Sequence, residues 1–426
     1  MVKVLSFLAL ILLSLLPGEI VFGQDHPHFD LERSLRMDFI LTGEKEVQHA
    51  GLLRLKEENN WSGTTKSMIW PFDYGTYKIE IFDTANQLIF SQGFSTLFEE
   101  WQITGLPGKG SASFEQSYNI PYPKINVVVK LSVRNDHEFE KVADWEIDPA
   151  NDNIIKDRPK QEAILIMGDE NYRDNLDLVF LAEGYKESDA RKARKDAKRF
   201  ARFLFRNPPF DQYRKDINIW LVHVPSIDRG TDEPCKGIYR NTPLGSSFNT
   251  LELKRYLSVQ EFFDVKDVAA AAPYDFILVM VNTERYGGGG VFNHFSVFSS
   301  NGYSAEKVFL HEFGHHFAGL ADEYFNSEVT YEDMLDTSLE PWQPNITTLI
   351  DFDRKWADLL TEGVPVPTPR NKQFVGKTGV FEGGAYVRKG VYSPAMDCRM
   401  RTNKAKSFCE VCQSAIEKML QLYITE

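Results

Sequence analysis

The sequence predicts an α+β protein: an N-terminal antiparallel β-sandwich over residues 24–155, then an α/β domain over residues 156–426. Three observations predict it. Short aromatic and β-branched runs separated by turn-formers fill the first third of the chain. From residue 176 onward, compact apolar runs alternate with helical patterns, as in a sheet with helices packed on it. Residues 311–324, H-E-F-G-H-H-F-A-G-L-A-D-E-Y, carry metal-ligand spacing.

The 426 residues are enough for two or three domains, and 42% hydrophobic and 13% aromatic residues supply large cores. Acidic residues outnumber basic ones, 61 to 48, for a net charge of -13. No basic cluster with interleaved aromatics appears, which argues against a nucleic-acid partner. Residues 1–23 read as a secretory signal. Lys3 gives a short positive region, residues 5–16 are apolar except Ser6 and Ser14, and Val21 and Gly23 are small enough to flank cleavage before Gln24. An uncleaved anchor is the alternative, but the apolar run is too short to span a bilayer comfortably. No other stretch resembles a membrane span, and no cysteine follows the run to accept a lipid. The expected location is secreted, periplasmic or on the cell surface.

In the first domain, residues 52–55, 77–82, 88–90 and 125–133 read as strands, with turns at Asp73-Tyr74-Gly75 and Pro107-Gly108-Lys109-Gly110. It shows no catalytic constellation, and Trp61, Trp70 and Trp101 are expected in its core. The polar stretch 148–161, with Pro149 and Pro159, reads as a linker. Residues 176–181, 217–224 and 276–281 are apolar runs expected to be strands. Ala190, Ala193, Ala197, Phe200, Ala201 and Leu204 form one helical stripe. His223 is expected to be a satisfied core residue. Asp228 and Asp232 sit in a loop that could take a structural cation, though no spacing demands one. Gly287 to Gly290 lack the G-K-[ST] of a phosphate loop and are expected to let the backbone turn or approach a ligand closely. Residues 291–298 alternate in part and are expected to form an edge strand that pairs with an extended peptide. The Pro/Gly-rich stretch 325–391 is expected to shape a cleft, and an amphipathic helix with Ile416, Met419, Leu420 and Tyr423 closes the chain.

The motif itself sets the chemistry. His311 and His315 are four apart, so a helix places them on one face, where both can reach one Zn²⁺ at about 2.0–2.1 Å. Glu312 between them can act as general base on a metal-bound water, with one coordination position left open. Asp322 is the expected third ligand. On a continuous helix it would lie roughly 10 Å beyond His315, so the helix must end first, and Gly319 is where it can. Glu323 is the alternative third ligand. Ser304 is expected at the helix N-cap, and His316, off the metal face, is expected to pack. Tyr324 and Tyr392 are unranked candidates for an oxyanion donor. Of four cysteines, Cys235, Cys398, Cys409 and Cys412, three cluster late in the chain. No fourth ligand for a structural zinc is obvious near them, so a disulfide from Cys398 to Cys409 or Cys412 is the preferred reading.

These residues together resemble the secreted IgA-peptidase family of bacterial zinc metallopeptidases. The resemblance covers most of residues 160–420. Beyond the metal helix it includes L-D-L-V-F-L-A-E-G-Y at 176–185, F-R-N-P-P-F at 205–210, S-I-D-R-G-T-D at 226–232, E-P-W-Q-P-N-I-T at 340–347, Y-S-P-A-M-D-C-R-M-R at 392–401 and F-C-E-V-C at 408–412. The preceding β domain is also similar to the one such proteins carry. The resemblance implies a zincin or metzincin-like catalytic domain and a methionine turn beneath the metal, with Met400 fitting best and Met396 second. In the usual metzincin spacing the glycine and third ligand come three and six residues after the second histidine. Here Gly319 and Asp322 come four and seven after it. The implied activity is a Zn²⁺ endopeptidase acting on protein or peptide substrates; the family name implies IgA cleavage for some relatives and does not set the substrate of this chain. The alternatives are a non-peptidase zinc hydrolase, such as a deacylase or glycan-processing enzyme, and a surface binding protein with a structural metal. Oligomeric state is not indicated.

Overall fold

A computed structural model of the chain describes residues 26–61, 63–104, 106–325 and 335–424. The expected signal, residues 1–23, lies outside the described residues. The first seven strands are β1 (Phe29–Gly43), β2 (Gln48–Asn59), β3 (Tyr77–Phe82), β4 (Leu88–Phe94), β5 (Ala112–Pro123), β6 (Val127–Asn135) and β7 (Glu138–Ile147), with a short helix α1 (Leu97–Gln102) after β4. They make two antiparallel sheets, ordered β2-β1-β5 and β4-β3-β6-β7. Alternation explains the packing. Leu35, Met37, Phe39 and Leu41 of β1 point to one side and share a hydrophobic cluster with Ile79, Ile81, Val129 and Leu131 of the other sheet. Trp61 and Trp101 are buried in this cluster, and Trp70 is buried in the neighbouring one. The expected linker is not a loose tether: Ile154 is buried, and Ile155 exchanges backbone hydrogen bonds with Leu55 and Glu57.

The rest of the chain runs β8 (Ala163–Met167), β9 (Leu176–Glu183), α2 (Ala190–Leu204), β10 (Ile217–His223), β11 (Ser246–Ser247), β12 (Ser258–Val259), α3 (Phe262–Ala269), β13 (Phe276–Val281), β14 (Gly288–Val291), β15 (Phe295–Ser299), α4 (Ala305–Ala318), β16 (Phe381–Gly384), β17 (Val387–Ser393) and α5 (Glu410–Tyr423). Six strands form a mixed sheet in the order β14-β15-β13-β9-β10-β8. The four inner strands are parallel, and each edge strand is antiparallel to its neighbour. β9 and β13 are buried at every position, which is why they read as unbroken apolar runs. Leu178 and Phe180 face a cluster that includes residues of α2, α4 and α5, whereas Val179 and Leu181 face α3. Five of the six stripe residues of α2 are buried, and Ala190 at its first position is exposed.

The edge strand differs from expectation. Residues 295–299 form β15, one strand in from the edge, and the outermost strand is the glycine run of β14. Glycines carry no β-propensity, so this strand has no side-chain signature. The protein is therefore mixed α+β, with its largest sheet carrying α4 beside the β14 edge.

A buried ion cluster joins the two halves. Arg36 on β1 is fully buried and donates to both Asp38 carboxylate oxygens at 2.7 and 2.8 Å, and to Asp267 of α3 at 2.6 Å. Burial pushes the Asp38 carboxyl up, but Arg36 prevails and holds it below its ordinary value of 3.8. This contribution to stability is complete above that value and is lost as the pH falls through the lower folded one. Arg36→Leu leaves buried carboxylates short of counter-charge and is expected to cost about 3–5 kcal/mol at pH 7, read from urea unfolding. The deficit should shrink as Asp38 becomes protonated.

Candidate active site

α4 is held by its apolar face. Val308, Phe309, Phe313 and Phe317 are buried against the sheet, which leaves His311, Glu312 and His315 half-buried on the cleft side. Ser304 occupies the N-cap position, but with a left-handed φ of 60° and no side-chain capping bond. The other end is as expected. Gly319 has φ 61°, and its N–H donates to the His315 carbonyl at 3.0 Å. A Cβ on Gly319 would also run into the Trp342 ring, so glycine is required there for both conformation and space. The chain then turns back. Asn345 fastens it by accepting from the Ala321 N–H at 2.7 Å and donating to the Ala321 carbonyl at 2.9 Å.

This turn brings Asp322 to the histidines. Its Oδ1 lies 3.0 Å from His311 Nε2 and 3.4 Å from His315 Nε2, and the two Nε2 atoms are 3.1 Å apart. Each imidazole donates its Nδ1 proton to a backbone carbonyl, His311 to Arg399 at 3.0 Å and His315 to Leu320. That fixes both Nε2 atoms as lone-pair donors aimed at the same point as Asp322 Oδ1. Asp322 Oδ1 is buried without a hydrogen-bond partner, and Oδ2 accepts from the Tyr386 hydroxyl. Three electron-rich atoms about 3 Å apart repel unless a cation sits among them. Ligands about 2.0–2.1 Å from a tetrahedral ion would be separated by about 3.3 Å, so these residues fit a divalent metal. When no ion is present, the Asp322 carboxylate draws a proton to this point instead. Burial works against a charge on His315, yet the Asp322 carboxylate lifts this imidazole to about 9.

A carboxylate oxygen of Glu312 lies within 4.8 Å of the histidine nitrogens and competes with Asp322 for the third position. The Asp322 distances are those of a shared ligand shell, and we favour it. Burial pushes the Glu312 carboxyl up, and the two imidazoles pull against that without cancelling it. β14 packs directly on this residue. A Cβ on Gly288 would come within 2.7 Å of Glu312 Oε1, and one on Gly290 would overlap the Glu312 carbonyl. The glycine run thus serves close approach of the edge strand to the helix. The surrounding cleft, about 760 Å³, is walled by Tyr256, Tyr286, Tyr324, Tyr386 and Trp342, and by Glu100 of α1. The N-terminal half, which showed no catalytic pattern, therefore supplies one wall.

Other expectations sort by position. Met400 is fully buried beneath α4, and a Cβ on Gly314 would come within 2.9 Å of its sulfur, whereas Met396 is only half-buried. His316 is buried against Phe276, and burial drives its imidazole down to about 3. His223 contacts the Tyr185 carbonyl at 3.3 Å. Asp228 and Asp232 accept backbone N–H groups of Asn241 and Arg240, which pins the loop. Tyr324 lines the cleft, its hydroxyl 3.1 Å from that of Tyr386, while Tyr392 pairs with Thr347 in β17 away from the cleft lining. Tyr386 was not foreseen, because nothing local in the sequence ties it to Asp322 across 64 positions. Glu323 points away from the histidines and towards three cysteines. None of those is in a disulfide: Cys398 and Cys412 sulfurs are 3.7 Å apart against a bonded separation of about 2.05 Å.

Two histidines and a carboxylate on one point, with a half-buried glutamate beside them, mark the class as a candidate metallohydrolase. The chain is more particular than that. The model of the IgA Peptidase M64 family matches residues 164–378 and 370–420, and that of the Peptidase M64 N-terminus matches residues 25–143. The chain belongs to this family, whose members are metallopeptidases. No curated protein matches it.

Tyr386→Phe removes the hydroxyl that orients Asp322. Metal affinity measured by chelator competition is expected to fall by about 10–100-fold with the fold intact; unchanged affinity would show that the carboxylate is held by other means.

Proposed function

We propose that this peptidase is a zinc-dependent endopeptidase, exported by its N-terminal segment and acting on proteins outside the cytoplasm. The observation that carries this reading is the approach of Asp322 Oδ1 to both histidine Nε2 atoms. His311, His315 and Asp322 hold the ion, an N,N,O set suited to zinc. When bound, zinc supplies Lewis-acid polarisation and generates a nucleophile near neutral pH. Glu312, with its carboxyl raised by burial, takes the proton from the attacking water and returns it to the leaving amine. Tyr324, rather than Tyr392, donates to the developing oxyanion, since it lines the cleft. An extended substrate lies along β14, the outermost strand beside α4.

In this reading the first two sheets form a sandwich over residues 24–155 and the rest a zincin-like catalytic domain over residues 156–426. Immunoglobulin-type proteins are the first substrates to try, given the family's description.

Glu312→Gln tests the mechanism. It is expected to keep its metal, measured by elemental analysis, and to lose peptide hydrolysis by roughly 10²-fold or more. Robust cleavage by a metal-loaded variant would remove Glu312 from the proton transfers. Loss of the metal would instead place Glu312 among its ligands.

A further inference from the structure

Among the described residues, a second group could hold a metal: Glu323, Cys398, Cys409 and Cys412, whose donor atoms lie within 4.8 Å of one another. We propose that these four side chains bind a structural zinc ion, distinct from the histidine site and adjacent to it through the consecutive residues Asp322 and Glu323. The inference stands independently of the peptidase reading.

The geometry suits it. Around a tetrahedral ion with sulfur at about 2.3 Å, sulfurs are separated by about 3.7 Å, and a sulfur and a carboxylate oxygen by about 3.5 Å. Cys398 and Cys412 sulfurs are 3.7 Å apart. Glu323 Oε1 lies 3.2 Å from the Cys412 sulfur and 3.9 Å from that of Cys409. The donor chemistry suits zinc, which takes thiolates and a carboxylate in closed four-coordinate structural sites.

The surroundings lack an explanation without the ion. Glu323 is fully buried, and its Oε2 has no hydrogen-bond partner. Arg399, next to Cys398, is buried, with Nη2 donating to the Ala405 carbonyl at 2.7 Å and with Nε and Nη1 unpartnered. Cys409 is the N-cap of α5 and Cys412 lies in its first turn, where the helix dipole favours thiolates. The Cys409 N–H also donates to the Cys398 sulfur at 3.2 Å.

The site would fasten the catalytic centre from behind. Cys398, Arg399 and Met400 are consecutive. The Arg399 carbonyl orients His311, Met400 lies beneath α4, and the Met400 carbonyl accepts the Glu323 N–H at 2.9 Å. One ion would therefore lock the ligand-orienting loop, α5 and the Asp322 turn together.

The full chain should carry two zinc ions by native mass spectrometry. His311→Ala/His315→Ala should still carry one. Loaded with cobalt, that variant should show thiolate-to-metal charge-transfer absorption, and adding Cys412→Ser should abolish it. If the cysteine variant does not fold, the spectrum of the histidine variant and the stoichiometry of the full chain still decide. A single ion in the full chain that Cys412→Ser leaves in place, a metal-free histidine variant, or an intact mass two hydrogens short from a disulfide among these cysteines would each overturn the proposal.

Discussion

The centre is built around one electrostatic conflict. Two imidazole lone pairs and a buried carboxylate oxygen are aimed at one point and held 3.0 to 3.4 Å apart. Backbone carbonyls fix the rings from behind, so neither can rotate its N–H into the gap without giving up its Nδ1 hydrogen bond. Tyr386 and Asn345 do the same for the Asp322 side of the triangle. Such convergence costs stability unless a cation resolves it, and a fold that maintains it through this many supports is organised for that cation.

Two backbone features make the convergence possible. Gly319 stops α4 one residue after its last turn, and the chain doubles back within three residues to present Asp322. The glycines of β14 let a strand lie directly on Glu312 and His315, where any side chain would push the helix away. The N-terminal sheets matter to the same cleft. The Phe292 carbonyl accepts the Ser95 N–H at 2.9 Å, and the Tyr256 hydroxyl donates to Glu100 at 2.5 Å, so α1 is fixed as a wall beside the histidine-bearing face of α4.

Much of this was legible in the sequence, and the rest was hidden for identifiable reasons. The i, i+4 histidines, the helix-ending glycine and Asp322 are local in sequence, so spacing alone placed them together. β9 and β13 announced themselves as unbroken apolar runs. β1 did not, although Leu35, Met37 and Phe39 alternate with Arg36 and Asp38; that this charged face is buried too depends on Glu58 and Asp267, which pair with Arg36, and on Arg54, which pairs with Asp38. β14 was misplaced because glycines carry no strand signal. Glu323 was weighed only as an alternative to Asp322. Its partners lie 75 to 89 residues downstream, and adjacent residues after a helix break turn to opposite sides, a fact that only tertiary structure reveals.

The central claim is that His311, His315 and Asp322 share one metal ion. Anomalous diffraction recorded on either side of the zinc absorption edge, from crystals of the purified full chain, tests this directly. The account predicts a peak in contact with both Nε2 atoms and with Asp322 Oδ1, with Glu323 turned away. A peak held by Glu312 in place of Asp322, or no peak between the histidines in a zinc-supplied crystal, would contradict it.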